Sequence, residues 1–293
     1  MSEVIEHSQE RLDNIQAIEP ILSALRTISM GSWQKALKLR ANLQEYRSQF
    51  GDIYQFVLPY INKNTSVDKY IKPKTNNKVA LVIGSERGLI GKFNRDLVEF
   101  TKNYIKEQER DGTQVKFWLL GSRIKRLFIQ REIHFDQAEA LSTTSLPIFD
   151  IAAKMIRKWL ISYEKCQIDA IDVIYNAYNG HAKYKIQVDR LLPFSYQKMT
   201  DTKPTSSWPQ PIIETDPRRL YAQLIKQETT IHLFELLLES AASEHSARYQ
   251  LMEEAVQNSD RLIEELNNDL QTIRHQAITR EMQELAAGAG LLE

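Results

Sequence analysis

Three glycines stand in the segment Gly84-Ser-Glu-Arg-Gly88-Leu-Ile-Gly91-Lys92-Phe93-Asn94, between an apolar run that reads as a strand and a stretch with helical patterning. A glycine-rich turn from strand to helix is where backbone N–H groups can cradle a phosphate, so this is the first place to look for chemistry. The spacing does not fit. A P-loop needs G-x-x-x-x-G-K-[ST], but Phe93 follows Gly91-Lys92, and Glu86 holds the place of the first glycine. A dinucleotide fingerprint needs G-x-G-x-x-G, and Glu86 again stands where the second glycine belongs. The segment is read as a structural turn.

The other reactive residue types are equally unorganised. Histidines occur at 7, 134, 181, 232, 245 and 275, with no pair at the helical spacing of H-E-x-x-H. His245 falls on a helix seam and is expected to be a packed, hydrogen-bonded polar residue, whereas His275 is expected on a solvated or partner-facing surface. Cys166, the single cysteine, sits at a helix end and is read as a small buried hydrophobe. It excludes an internal disulfide framework and a cysteine-rich zinc site. No G-x-S-x-G nucleophile arrangement is present. No catalytic residue, cofactor site or metal site is therefore expected.

The elements that would have to position any site are more informative. Asp216-Pro217 has an N-cap followed by proline at the first helical position. From Arg218 to Ala287 there is neither Pro nor Gly, and Gly288 follows. About 70 helical residues would span roughly 105 Å, far more than a globular domain encloses. Leu224, Ile231, Phe234, Leu238, Ala241, Met252, Ala255, Leu262, Leu266, Ile273 and Ala277 recur at coiled-coil steps, interrupted by Gln227, His245, Arg248 and Ser259. The same stepping runs through Ile18, Leu22, Leu25, Ser29, Ser32, Ala36, Leu39, Leu43, Tyr46, Phe50, Ile53 and Val57, and Pro59 ends it. Pro20 implies that this first helix either begins near Glu19 or bends there. Its partner should be the C-terminal helix, running antiparallel, with the surplus length of the latter projecting alone or contacting other chains.

Between the two helices the pattern changes. Val79–Ile83 and Val115–Leu120 read as strands, Asn94–Arg110 and Ile148–Cys166 as helices, and Ile168–Ala177 with Lys183–Leu191 as a hairpin turning at Asn179-Gly180. The expected fold class is α/β with a long antiparallel α-helical coiled coil. A small, Rossmann-like α/β domain is inserted between the N- and C-terminal helices. The expected boundaries are 1–58 for the first helix, 78–199 for the α/β domain and 212–293 for the long helix, with Thr200–Pro211 a loop.

Bulk properties agree with a protein-binding role. Of 293 residues 42% are hydrophobic, and Lys+Arg and Asp+Glu number 38 each. A formal charge of zero gives no support for a nucleic-acid partner, which needs a basic surface. The N-terminus lacks the pattern of a secretory signal, and no run of about 18 apolar residues is long enough to span a bilayer. Membrane contact is expected only through a complex. The apolar tail Leu285–Leu292 suggests a tip seated inside something.

Three stretches carry a resemblance to a family. Ser243-Glu-His-Ser-Ala-Arg-Tyr-Gln-Leu-Met252 is followed by Asn258, Leu262-Ile263 and Arg274-His-Gln-Ala-Ile-Thr-Arg-Glu281. Ile278, Thr279, Glu281, Glu284, Gly288 and Ala289 fit the terminal signature I-T-x-E-x-x-[DE]-x-x-x-G-A of the gamma subunit of F-type ATP synthases, which the chain resembles. Ser85–Asn94 is similar to that family's S-[DE]-R-G-L-x-G-x-[YFL]-N, and Arg11–Ala36 aligns without gaps to its first helix. The family's usual basic K-I-T-K-A-M-K-M-V stretch is replaced by Pro20-Ile-Leu-Ser-Ala-Leu-Arg-Thr-Ile28, and the regulatory cysteine pair of chloroplast forms is absent, which marks a divergent bacterial type.

The resemblance implies a central rotor shaft inside a ring of alpha and beta subunits. It would transmit torque between that ring and the membrane c-ring in ion-coupled ATP synthesis, with the epsilon subunit as a further partner. It implies a non-catalytic, peripheral subunit at the cytoplasmic face of the cell membrane. Leu25, Arg248, Gln276, Thr279 and Glu281 are the expected shaft positions, facing the ring or locking the helix pair. The competing reading is a small α/β nucleotide-binding enzyme with a coiled-coil arm. A free coiled-coil scaffold is a third.

Overall fold

In the computed structural model the described residues are 2–57, 60, 77–141, 146–181, 183–193 and 212–288. The expected loop Thr200–Pro211 and the tail beyond Gly288 lie outside them. The chain forms two compact units, Met30–Arg248 and a terminal unit made of Met1–Ser29 with Tyr249–Glu293. Two long helices contribute to both. Helix α1 spans Ser2–Val57 and runs on through Pro20, so it does not begin near Glu19, the first of the two expected alternatives. Proline there removes one N–H from the ladder, so the Gln16 carbonyl loses its intrahelical donor.

The larger unit holds the α/β domain. Its elements are β1 (Asn77–Ile83), α2 (Phe93–Arg110), β2 (Gln114–Leu120), α3 (Ser122–Gln130), β3 (Gln137–Glu139), α4 (Phe149–Glu164), β4 (Ala170–Tyr178) and β5 (Tyr184–Leu192), followed by the long helix α5 (Pro217–Gly288). The five strands are ordered β3-β2-β1-β4-β5. All neighbours pair parallel except the β4–β5 hairpin. Gly180, at φ 94°, supplies the left-handed residue that the hairpin turn requires. α3 and β3 were not foreseen. α3 has nine residues and buries only Ile124 and Phe128, too little for a periodic pattern to register.

Period-two alternation assigns the faces of the sheet. Val79, Leu81, Ile83, Trp118, Leu120, Ile171, Val173 and Tyr175 form one core with Ile156 and Trp159 of α4 and Leu233, Leu236 and Leu237 of α5. Ala80, Val82, Phe117, Leu119 and Ile174 form the other, with Leu97 and Val98 of α2 and Ile124 and Phe128 of α3. Both faces being covered explains why β1 reads as an unbroken apolar run. It also explains why α5 is buried on several sides between Leu224 and Ser246.

One helix end departs from expectation. Cys166 is exposed rather than buried. It follows the last turn of α4 in a left-handed conformation, φ 55°, where the Gln167 N–H closes back onto the Ser162 carbonyl. That cap turns the thiol outward.

Gly84 is closely packed, since a Cβ there would lie 2.4 Å from the Ile124 Cβ. Gly84→Ala is expected to destabilise the chain by about 1–3 kcal/mol through overpacking of this helix–strand contact. Guanidinium denaturation followed by far-ultraviolet circular dichroism measures it, and an unchanged midpoint would refute the tight approach.

Candidate functional site

The glycine-containing segment after β1 is closed by its own side chains. The Ser85 N–H donates to Asn94 Oδ1 at 3.0 Å, and Asn94 Nδ2 donates to Ser85 Oγ at 2.7 Å. The Gly84 N–H is engaged by the Leu120 carbonyl, and the Ser85 hydroxyl by the Arg87 carbonyl. Glu86 accepts from the Ser122 hydroxyl, the Ser122 N–H and the Leu141 N–H. Burial alone would raise the Glu86 carboxyl, but these Ser122 and Leu141 donors hold it below the usual range. The segment is a structural turn, as its spacing indicated.

That turn receives Arg248 from α5. The buried guanidinium donates from Nε to the Gly88 carbonyl at 3.4 Å and from Nη2 to Glu244 at 2.5 Å, with His245 Nδ1 at 3.3 Å from Nη1. Burial raises the Glu244 carboxyl, opposed by Arg248. Burial, reinforced by the Arg248 and Arg87 charges, lowers His245 to about 4. His245 is thus the packed polar residue expected on the helix.

The seam between α1 and α5 is the second constellation. In the larger unit Arg47 donates to Glu228 at 2.5 Å and to Glu235 at 2.9 Å. Gln44 donates to Glu235 at 2.8 Å, and Arg40 lies 3.1 Å from Glu239. Glu239 also accepts from the Tyr175 hydroxyl at 3.3 Å, tying this row to the sheet. Burial raises Glu228 and Glu239, while Arg47 and Arg40 respectively oppose the rise. Burial works against the Arg47 charge, yet Glu228 and Glu235 outweigh it and hold that pKa up. In the terminal unit Arg26 pairs with Glu253 at 3.2 Å, and Leu12, Leu266 and Leu270 form an apolar cluster with Ile5, Ile15 and Ile263. Higher numbers on one helix meet lower numbers on the other in both units, so the pair is antiparallel.

This corrects the seam drawn from sequence. Leu22, Ser29, Ala36 and Leu43 are covered, but Ile18, Leu39, Tyr46 and Ile53 are exposed. The second row is shifted by one residue, to Arg26, Trp33, Arg40 and Arg47. A search for apolar residues passes over arginine, although its stem packs while its head pairs. The detectable signal was charge at sevenfold spacing, Arg40 with Arg47 on α1 and Glu228 with Glu235 on α5.

The five candidate shaft residues fall in both units. Leu25 is half-buried beside the seam of the terminal unit, and Arg248 is held at the Gly88 turn of the larger one. Gln276, Thr279 and Glu281 are exposed near the end of α5, with the Thr279 hydroxyl donating to the His275 carbonyl. His275 is exposed there as well. The same end presents Ile278, Met282 and Leu285 at 54%, 66% and 73% exposure, a helical stripe left open among the described residues.

An α/β sheet of this order, inserted between two long helices that pair with each other, defines the class of fold. The family model described as ATP synthase matches residues 5–292, and the chain belongs to that family. It is 27% identical over 286 residues to the ATP synthase gamma chain of Amoebophilus asiaticus, and 25% identical over 285 residues to that of Geotalea daltonii, each match covering 96% of both chains. Its fold is similar to a chain of the Euglena gracilis mitochondrial ATP synthase, with TM-score 0.67 at 16% identity, covering 100% of this chain and 95% of that one. A chain from the central stalk and c-ring of the Tetrahymena thermophila enzyme matches with TM-score 0.56 at 17% identity, over 80% and 99% respectively.

Two outcomes follow from the charges. Arg47→Met leaves the fully buried Glu228 carboxylate without its counter-charge and is expected to cost about 3–5 kcal/mol, with Arg47→Met/Glu228→Leu recovering much of it. Chemical denaturation of the single and double variants decides this, and additive losses would refute the coupling. His245 is depressed in the fold, so its contribution is present above its ordinary 6.5 and is lost as pH falls towards about 4. Between pH 7 and 5 that loss is about 2 kcal/mol, and His245→Gln should remove it from the measured pH dependence of stability.

Proposed function

We propose that this chain is the gamma-type central shaft of a rotary ATP synthase, standing on the membrane c-ring beside an epsilon subunit and turning inside a ring of alpha and beta subunits. The carrying observation is the 72-residue helix α5, paired with α1 yet ending in an uncovered apolar stripe, in a member of the ATP synthase family. A shaft must resist twisting and bending. Pairing along two helices supplies stiffness, and the seam charges oppose slippage of one helix past the other.

Turning such an asymmetric rod changes which of its side chains each beta subunit meets. Differential contact with open and closed states is what couples shaft angle to nucleotide affinity. Bond making and breaking then belong to the partners, and this chain is non-catalytic. Its place is peripheral, at the cytoplasmic face of the membrane. Attachment runs through the c-ring; no helix among the described residues is long and apolar enough to cross a bilayer. Leu25, Gln276, Thr279 and Glu281 serve as surfaces turned towards the ring, and Arg248 locks the shaft to its own α/β domain. Residues 1–58 and 212–293 act as the shaft, and 78–199 as the foot.

The nucleotide-enzyme reading is disfavoured by the turn after β1, whose backbone and polar side chains bond to one another and to Arg248.

Truncation before Gln276 should leave the α/β domain folded while reducing ATP-driven ion pumping of the assembled complex. Pumping equal to the intact complex would count against the proposal. Native purification should yield one copy per three beta chains, and a chain free of alpha and beta subunits would overturn it.

A further inference from the structure

Asn179-Gly180 is the single Asn-Gly pair of the sequence, and the hairpin between β4 and β5 sets both residues at an exposed tip. The Asn179 N–H donates to the Lys183 carbonyl at 3.0 Å, and the Lys183 N–H to the Gly180 carbonyl at 3.3 Å. These main-chain bonds close the turn. Gly180 holds φ 94°, and a Cβ placed on it would meet nothing within 4 Å, so the glycine is uncrowded and open to water. The tip is also held from outside. Trp33 of α1 has its ring centre 6.0 Å from that of Tyr178 and 5.0 Å from that of His181. Those two residues flank the Asn179-Gly180 pair on either side. Other asparagines are less free to react. Asn94 has both side-chain polar atoms bonded to Ser85, and Asn258 lies inside α5, where the next N–H is committed to the helical ladder.

We infer that Asn179 is a site of spontaneous deamidation, and that its isoaspartyl product unfastens the hairpin from α1 at Trp33. The Asn179 amide carbon and the Gly180 nitrogen are placed to close a five-membered ring, and glycine puts no side chain in the way. Hydroxide removes the Gly180 N–H proton, and the nitrogen attacks Asn179 Cγ. A bond from Gly180 N to Cγ forms, the Cγ–Nδ2 bond breaks, and Nδ2 takes up a proton and leaves as ammonia. Water then opens the imide at either carbonyl, returning a proton to the Gly180 nitrogen. Opening at Cγ gives aspartate. Opening at the main-chain carbonyl gives isoaspartate, which carries the chain onward through Cβ and so adds one carbon to the main chain. Nothing is oxidised or reduced, and the balance is one amide and one water to one carboxylic acid and one ammonia. The added carbon lies between Tyr178 and His181, so their two rings lose the spacing at which they hold Trp33.

The test ages the natively purified full chain at neutral and at alkaline pH and maps its peptides by mass spectrometry. The peptide containing Asn179 should gain about 1 Da and resolve into aspartyl and isoaspartyl forms. Conversion should be faster at alkaline pH, because the attacking nitrogen must lose its proton. In the folded chain the rate should stay within about tenfold of the rate in urea, since an exposed tip opens without global unfolding. Greater protection overturns the inference, as does faster conversion at any other asparagine. Asn179→Gln would have to close a larger ring and should convert at least about tenfold more slowly, and an equal rate refutes the assignment. A second measurement reads the contact with α1. Acrylamide quenching of tryptophan emission should rise in proportion to isoaspartyl content, and that rise should vanish in Trp33→Phe. A rise that persists in Trp33→Phe refutes the unfastening. Asn179→Asp carries the charge without the added carbon and should quench like the unaged chain; a matching rise there would assign the effect to charge and overturn the main-chain account.

Discussion

A helix as long as α5 exists in water only where something covers its apolar positions, and the register of α1 against it decides which positions those are. Leu22, Ser29, Ala36 and Leu43 form one row of that seam, and Arg26, Trp33, Arg40 and Arg47 the other. The first row is small or aliphatic and permits close approach. The second fixes register, because Glu228 is completely buried and its charge is tolerated only beside Arg47. Sliding α1 by one turn would separate that pair and leave a carboxylate inside the protein without a counter-charge. The cost would be several kcal/mol, whereas a purely aliphatic seam could slip by a turn with little loss. Trp33 adds a fixed point of another kind, with its ring 6.0 Å from Tyr178 and 5.0 Å from His181 at the hairpin.

Within the larger unit α5 has two surfaces to satisfy. Leu233, Leu236 and Leu237 complete the core between α4 and the sheet. Glu228, Glu235 and Glu239 meet the arginines of α1. The helix is consequently buried over most of its circumference here, although its sequence is rich in charge. Tyr175 joins the two surfaces, since its ring belongs to the sheet core and its hydroxyl reaches Glu239. Burial, together with Glu239, drives the Tyr175 pKa upward, so the hydroxyl remains a donor across the physiological range.

Most of the architecture was legible because long, regular patterns carry it. The apolar run Val79–Ile83, the hairpin turn at Asn179-Gly180 and the proline–glycine bracket around α5 each have a local cause that survives in the folded chain. What escaped is short or non-local. β3 has three residues, and its pairing with β2 is a tertiary fact. The exposure of Cys166 depends on the left-handed cap after α4, which residue type alone does not announce. The seam was misplaced for a more instructive reason. Periodicity identified the correct spacing, but hydrophobicity selected Leu25, Leu39 and Tyr46 over their neighbours Arg26, Arg40 and Arg47. Only partners on α5, about two hundred residues away, settle that choice. Of the candidate positions, the resemblance of the terminal segment offered Gln276, Thr279 and Glu281, whereas the contact that Arg248 makes required knowing that α5 passes Gly88.

That last contact bears on what a Rossmann-like sheet does in this chain. In a sheet ordered β3-β2-β1-β4-β5, the chain leaves β1 towards one face and reaches β4 from the other, so a crevice opens at the carboxyl ends of those strands. Doubly wound enzymes place substrates and cofactors at such a point. In this chain Asn94 closes the turn after β1, Asn176 of β4 donates to the Phe93 carbonyl, and Arg248 of α5 reaches the Gly88 carbonyl. The side chains of Ser85 and Asn94 are thereby engaged with each other and with the turn, and the Gly88 carbonyl with α5. The fold's customary binding site has become the place where the α/β domain grips the long helix. A sheet that holds a rod in one orientation needs a rigid contact at that place, and a loose, solvated loop there would let the rod turn without its domain.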